Sequence, residues 1–213
     1  MPRAVRGGRG GTGPSYAARV DATSPFPRMS GTADVSVRPA RPADGGAIAR
    51  VQLVTWRTAY RELLPAALLD AWDEAAATEV WAAAAADAAP DRGLLVALES
   101  DTVVGFAAYA PPEEDDGTGD DTGSVTEIAT LLVEPRWGRR GHGSRLLAAV
   151  ADLAAAAGSA TLRAWLPEGD SASARFYESA GWAPDGWART LETGAAPLRE
   201  VRWHTNLDDR RTT

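Results

Sequence analysis

The chain has 213 residues, with 22 basic residues against 29 acidic ones and a formal net charge of −7. It has 0 cysteines and no lysine, so disulfides, thiolate metal sites, cysteine nucleophiles, Walker A loops, pyridoxal Schiff bases and kinase-type lysine sites are excluded. The charge is unevenly spread: residues 1–34 carry +3 and residues 35–213 carry −10, a balance that argues against general nucleic-acid binding.

Residues 1–34 are rich in Gly, Pro, Ser and Arg and show no apolar periodicity. They read as a disordered tail, and Met29 offers an alternative start. Gly8, Gly10 and Gly13 match G-x-G-x-x-G. No strand precedes them, so they do not read as a nucleotide loop. There is no secretory apolar run and no stretch of about 18 apolar residues. The expectation is a cytoplasmic protein that meets neither membrane nor nucleic acid.

From Val35 the chain reads as ordered. Val35–Arg38 is a short strand. Asp44 is placed to cap a helix carrying Ile48, Val51 and Val54, with Trp56 and Tyr60 on one face of its continuation. Leu64–Trp72 and Glu74–Asp87 read as further helices. Gly93–Leu98 and Thr102–Tyr109 read as strands joined at Glu99–Asp101. The acidic stretch Pro111–Ser124 reads as a solvated loop. Val125–Val133 is a strand, Gly143–Ala157 a helix, Ala160–Leu166 a strand and Ser171–Ser179 a helix. Strands near Trp187–Leu191 and Leu198–Asn206 follow. By alternation Trp165, Trp182 and Trp203 read as core, and His204 as a core or edge residue. The pattern is an α/β chain with antiparallel stretches, not a strict βαβα alternation. Residues 35–207 form the domain and 208–213 a short polar tail.

The most informative stretch is Ile128–Val150. A strand enters a turn holding Gly138, Gly141 and Gly143, and the turn opens a helix. Free N–H groups at a helix start hold an anion, and Arg139 and Arg140 add positive charge beside it. This reads as a phosphate or pyrophosphate site; the competing reading is a strand–helix turn that needs glycine only for its geometry.

These residues resemble the GNAT superfamily of N-acetyltransferases. Val133-Glu134-Pro135 followed by Gly138-Arg139-Arg140-Gly141-His142-Gly143-Ser144 matches its V-x-P and Arg/Gln-x-x-Gly-x-Gly/Ala motif, with Gly138 standing where the family has Arg or Gln. A second motif follows about 30 residues on: Phe176, Tyr177, Gly181 and Trp182 match, while Asp170 replaces an Asn and Ser173 an Ala. The resemblance covers roughly Val35 to Leu207. It implies a GNAT fold of the α/β (α+β) class, a central mixed, mostly antiparallel sheet of about seven strands flanked by about four helices.

The resemblance also implies a reaction, the transfer of an acetyl group from acetyl-CoA to a small-molecule primary amine by direct attack. Leu131, Leu132 and Val133 would pair with the pantetheine. The N–H groups of Arg139, Arg140, Gly141, His142, Gly143 and Ser144 would hold the diphosphate. Asp170 and Tyr177 complete the cofactor contacts, and no metal is implied. Tyr177 is the candidate general acid for the leaving thiolate, against a ring that only packs and orients CoA. Glu127 is the candidate base, against a structural ion pair. His142 sits within the diphosphate turn, on the wrong side of the thioester for a base, and a water chain or a carboxylate among Glu113–Asp121 are the remaining alternatives. Trp56, Tyr60 and Trp72 could wall the acceptor site by cation–π contact, or could be core. A homodimer is plausible by the same resemblance.

Two alternatives stand beside this reading. One is an N-terminal protein acetyltransferase. Those enzymes place a Glu base five residues before the Asn of the second motif, where this chain has Trp165. The other is a non-catalytic acyl-CoA-binding sensor.

Overall fold

The computed structural model describes residues 35–61, 66–112, 124–192 and 197–207. In chain order the elements are β1 (Val35–Pro39), α1 (Gly45–Ala59), α2 (Ala66–Asp70), α3 (Glu74–Ala86), β2 (Gly93–Glu99), β3 (Thr102–Ala110), β4 (Ser124–Val133), α4 (His142–Ala156), β5 (Ser159–Pro167), α5 (Ser171–Ser179), β6 (Ala183–Glu192) and β7 (Pro197–Asn206). Short 3-10 turns, Pro42–Asp44 and Pro135–Trp137, lead into α1 and follow β4. The tail 1–34, the acidic residues 113–123, Leu64 and residues 208–213 lie outside the described residues. Among the described residues no helix is long and apolar enough to cross a membrane.

The strands form one sheet in the order β1-β2-β3-β4-β5-β7-β6. Every neighbouring pair is antiparallel except β4 with β5. Helices cover both faces of the centre. Leu95 and Ala97 of β2 join Leu146, Leu147 and Val150 of α4 on one face, and Leu94, Val96 and Leu98 join Ile48 and Val51 of α1 on the other. Successive strand side chains point to opposite faces. A strand sandwiched this way reads as a continuous apolar run, as Leu94–Leu98 does.

Asp44 departs from the sequence reading. It stands at the N-cap position of α1, yet its side chain makes no cap. Its carboxylate turns back to Arg38 at 2.7 and 2.9 Å and to the Arg41 N–H at 2.7 Å. The entering 3-10 turn brings that guanidinium within reach, and a charged partner outcompetes an exposed backbone N–H. Asp73 and Asp170 are true caps: each accepts from the N–H three residues on, at 3.0 Å.

The feature that positions the site is a split in the sheet. β4 pairs with β5 only from Ser124↔Ser159 to Ile128↔Ala164. Beyond that point β4 stays with β3 as far as Val133, while β5 stays with β7 as far as Pro167. The register of β4 on β3 steps from Ile128↔Tyr109 to Thr130↔Ala108, so Ala129 is an extra residue at the mouth of the split. The β5-facing edge of β4 beyond Ile128 thus has no strand partner among the described residues.

Candidate active site

The glycine turn closes one end of the split. Gly141 is left-handed at φ 82° and is the N-cap of α4, and Arg139 is left-handed at φ 60°. Left-handed residues in a turn aim successive N–H groups at one concavity. The first rung of the helix ladder is Arg145 N–H to the Gly141 carbonyl at 3.0 Å. The N–H groups of His142, Gly143 and Ser144 precede it, and no side chain caps them. Uncapped N–H groups at a helix start have the chemistry to take an anion.

Two side chains of the turn, those of Arg140 and His142, turn toward Glu99. Arg140 Nη1 reaches Glu99 Oε1 at 3.1 Å, and its guanidinium lies 4.8 Å from the Trp137 ring. The His142 ring is buried, with Nε2 2.9 Å from Glu99 Oε2. Glu99 ends β2, so its contact with Arg140 anchors the turn to the neighbouring β2–β3 corner, while His142 Nε2 and Glu99 Oε2 lie close without the geometry of a hydrogen bond. Glu134, also buried, is gripped by Arg50 at 2.8 Å and by Arg136.

The second motif packs directly on the first. A Cβ on Gly143 would lie 3.3 Å from the Phe176 ring, so glycine there lets α5 seat against the start of α4. Phe176 stacks edge-on with Tyr177 at 5.3 Å, and Tyr177 with Trp182 at 4.8 Å. Tyr177 is only 4 % exposed. Burial raises its phenol well above the ordinary value, and Tyr60 and Asp170 add to the rise. Tyr60 closes the C-terminus of α1. Burial first and the charge of Asp170 next push its phenol up to about 12, against the hydroxyl of Ser173. Asp170 is 8 % exposed; Oδ1 caps α5, Oδ2 is buried, and the carboxylate lies within hydrogen-bonding reach of the Tyr60 hydroxyl. Tyr60, Asp170 and Tyr177 therefore form one group, although the sequence reading put Tyr60 with the acceptor and Asp170 with the cofactor. A cavity of about 320 Å³ beneath the start of α5 shares Asp170 with this group but none of the turn residues.

Glu127 belongs to a different cluster. Its Oε2 accepts Arg163 Nε at 2.8 Å and Trp165 Nε1 at 3.2 Å. Trp165 is the first residue of β5 past the last β4 pairing. The Arg189 guanidinium lies 4.4 Å from its ring centre and that of Arg202 5.8 Å. Arg189 Nε also donates to Glu200 at 2.7 Å, and Arg202 Nε to Asp185 at 2.6 Å. The expectation that Trp165 is core is therefore corrected: it stands in a wall of arginine–carboxylate pairs across β5, β7 and β6. Trp182 is core, and Trp203 packs against the core. The side chain of His204 is half-buried, and its strand position pairs with Arg163. Leu132 is buried against α1, while Leu131 and Val133 pack toward α4. Trp56 meets Trp72 edge-on at 5.4 Å and packs with Tyr60 against the α1 core.

The profile of the Acetyltransferase (GNAT) family matches residues 53–182. The "Uncharacterized N-acetyltransferase YuaI" of Bacillus subtilis (strain 168) is 30% identical over 169 residues, 78% of this chain and 90% of that protein. The chain belongs to the GNAT acetyltransferase family. It is an acyltransferase. Its fold is that of the PaiA N-acetyltransferase of Thermoplasma acidophilum in complex with coenzyme A (TM-score 0.64, 15% identity, 81% of this chain and 98% of that chain). It is likewise that of the YncA structure from Salmonella typhimurium with its cofactor acetyl-CoA (TM-score 0.60, 20% identity, 83% and 95%). A ribosomal-protein-alanine N-acetyltransferase from Brucella melitensis shares it too (TM-score 0.62, 20% identity, 80% and 99%). For this GNAT enzyme, the sequence motifs pointed to the glycine turn and to Tyr177, which the structure packs against each other through Phe176. They did not reveal the arginine wall, although Arg163 and Trp165 two apart on a strand already placed a charge and an indole on one face.

Proposed function

We propose that this GNAT enzyme transfers an acetyl group from acetyl-CoA to the primary amine of a small molecule in the cytoplasm, by direct attack. The observation that carries the reading is the uncapped N–H cradle of Arg139–Ser144 at the end of a sheet split whose free β4 edge runs toward it. The cradle suits a diphosphate, and the β4 edge at Leu131–Val133 suits the amides of an extended pantetheine arm. Acetyl-CoA supplies the activated acyl group; the protein's own residues do the rest. A backbone N–H at the split mouth would stabilise the developing oxyanion. Tyr177, protonated throughout the working range, donates toward the leaving sulfur. Glu127, oriented by Arg163 and Trp165, accepts the ammonium proton directly or through water.

The test is an amine panel assayed with acetyl-CoA by thiol release, with wild type and Tyr177→Phe. The phenylalanine keeps the ring that packs on Phe176 and Trp182 and removes the donor. We expect kcat to fall about 100-fold, with KM for acetyl-CoA changed only a few-fold. Thiol release from no amine would refute acetyl transfer to amines. An unchanged kcat would leave Tyr177 a packing residue.

A further inference from the structure

The wall beside the split has one member built to meet a ligand. Arg189 starts on β6, two strands from β5. Its side chain crosses β7, fastened there by Nε to Glu200 at 2.7 Å, and sets its guanidinium 4.4 Å from the centre of the Trp165 ring. The arm therefore points toward the split. Its side chain is 42% exposed, whereas those of Arg163 and Arg202 are 8% exposed. Only Nε of Arg189 makes a hydrogen bond among the described residues. Its two terminal nitrogens form a fork, held in place by an ion pair and an aromatic face, of the kind that takes a carboxylate in two parallel bonds.

Arg189 covers the face of this indole, and the Nε1 edge of the same ring meets the candidate proton acceptor. Trp165 Nε1 donates to Glu127 Oε2 at 3.2 Å. A carboxylate-binding fork and a carboxylate base thus stand one indole ring apart. An α-amino acid carries its ammonium and carboxylate on one carbon and, with a hydrogen bond at each end, spans such a gap. The wall's charges pair off as Arg163 with Glu127, Arg189 with Glu200 and Arg202 with Asp185. A neutral wall accepts a zwitterion without leaving a net buried charge, which a simple alkylammonium would not achieve.

We propose that Arg189 is the carboxylate-binding arm of the acceptor site and that the acceptor is a free α-amino acid, acetylated on its α-amine. This rests on the acetyl-transfer reading above. It separates the enzyme from those that modify protein N-termini, where an amide replaces the carboxylate.

The test measures acetylation of the twenty common L-amino acids, and of the amides and decarboxylated amines of those accepted. At least one amino acid should exceed its decarboxylated amine in kcat/KM by about tenfold or more. Arg189→Gln, which can still donate to Glu200, should raise KM for that amino acid about tenfold, roughly 1.4 kcal/mol of binding. KM for the decarboxylated amine and for acetyl-CoA should stay within about twofold. If Arg189→Gln lowers the melting temperature, Arg189→Gln/Glu200→Gln removes the orphaned carboxylate and is read in its place. Simple amines accepted as well as amino acids, or a variant that raises both KM values alike, would overturn the proposal. Should no amine release thiol, the acetyl-transfer reading fails by itself. Calorimetric binding of the same amino acids to CoA-loaded protein then decides the arm: binding lost in Arg189→Gln upholds it, and no Arg189-dependent binding overturns it.

Discussion

Gly141→Ala isolates the conformation of the anion turn from its packing. At φ 82° an L side chain meets the following carbonyl, which costs about 1–2 kcal/mol. The added Cβ would fall 2.6 Å from Arg145 Nη1, the far end of a flexible side chain that can swing aside, so backbone strain dominates. For a domain of this size each kcal/mol lowers the melting temperature by roughly 2–4 °C, giving a fall of about 2–8 °C by scanning calorimetry. Relief of that strain would re-aim the N–H groups of His142–Ser144, and CoA affinity by titration calorimetry should weaken about tenfold, or 1.4 kcal/mol. Gly143→Ala is the matched control. Its φ is not left-handed, and its Cβ points at the Phe176 ring, 3.3 Å away. Alanine's better helix propensity, about 1 kcal/mol, offsets the small shift of the ring. Its melting temperature should stay within about 2 °C and its CoA affinity within about threefold. A Gly141→Ala protein as stable as wild type would refute the strain argument. One that is less stable but binds CoA equally well would place the diphosphate elsewhere.

Glu127→Gln should lower kcat/KM, and the loss should shrink as pH rises, because a free amine needs less help losing its proton; a wild-type pH profile would remove Glu127 as base. Stability should decline above pH 10. Tyr60 and Tyr177 keep their protons in the folded state beyond the ordinary phenol value, while the unfolded chain loses its protons near 10, so folding weakens as pH rises through about 12 for Tyr60. Melting temperatures at pH 9 and 11 test this, and Tyr60→Phe should flatten the slope; an unchanged slope would mean the Tyr60 phenol is not shielded.

The order of elements along the chain and the glycine turn were legible because their causes are local. The glycines of the turn and the apolar run of Gly93–Leu98 could be read residue by residue; the structure adds the positive φ of Gly141, the cap that Asp170 makes on the Ser173 N–H and the burial of Leu94–Leu98 on two faces. Asp44 shows where the cap signal alone stops: it was present, but Arg38, six residues earlier on β1, held the carboxylate. Trp165 shows the same limit on a larger scale. Alternation tells which face of β5 carries the indole, not what covers that face. Arg189, Glu200 and Arg202 reach it only through the register of β6 and β7, which includes an irregularity between Pro184 and Ala188. Strand pairing of that kind is set by the assembled sheet, so the wall had no motif to announce it.

The departure from Asn to Asp at residue 170 bears on the chemistry. A thiol ordinarily ionises about 1.5 units below a phenol, so full proton transfer from tyrosine to thiolate is uphill by roughly 2 kcal/mol. Burial of Tyr177 and the charge of Asp170 widen that gap. Tyr177 is thus a dependable hydrogen-bond donor and a weak acid, and Asp170 opposes donation unless a positive charge arrives with the substrate. Asp170→Asn tests the point cleanly, because Asn caps a helix as well as Asp and the cap to the Ser173 N–H at 3.0 Å can persist. Its melting temperature should match wild type within about 2 °C, whereas Asp170→Ala, losing the cap, should cost about 1 kcal/mol. With the charge gone, the ionisation of Tyr177 moves down toward that of a thiol, and kcat at neutral pH should hold or rise. A fall of tenfold or more in kcat, with stability and CoA affinity intact, would contradict this account and make the buried Oδ2 a proton acceptor in its own right.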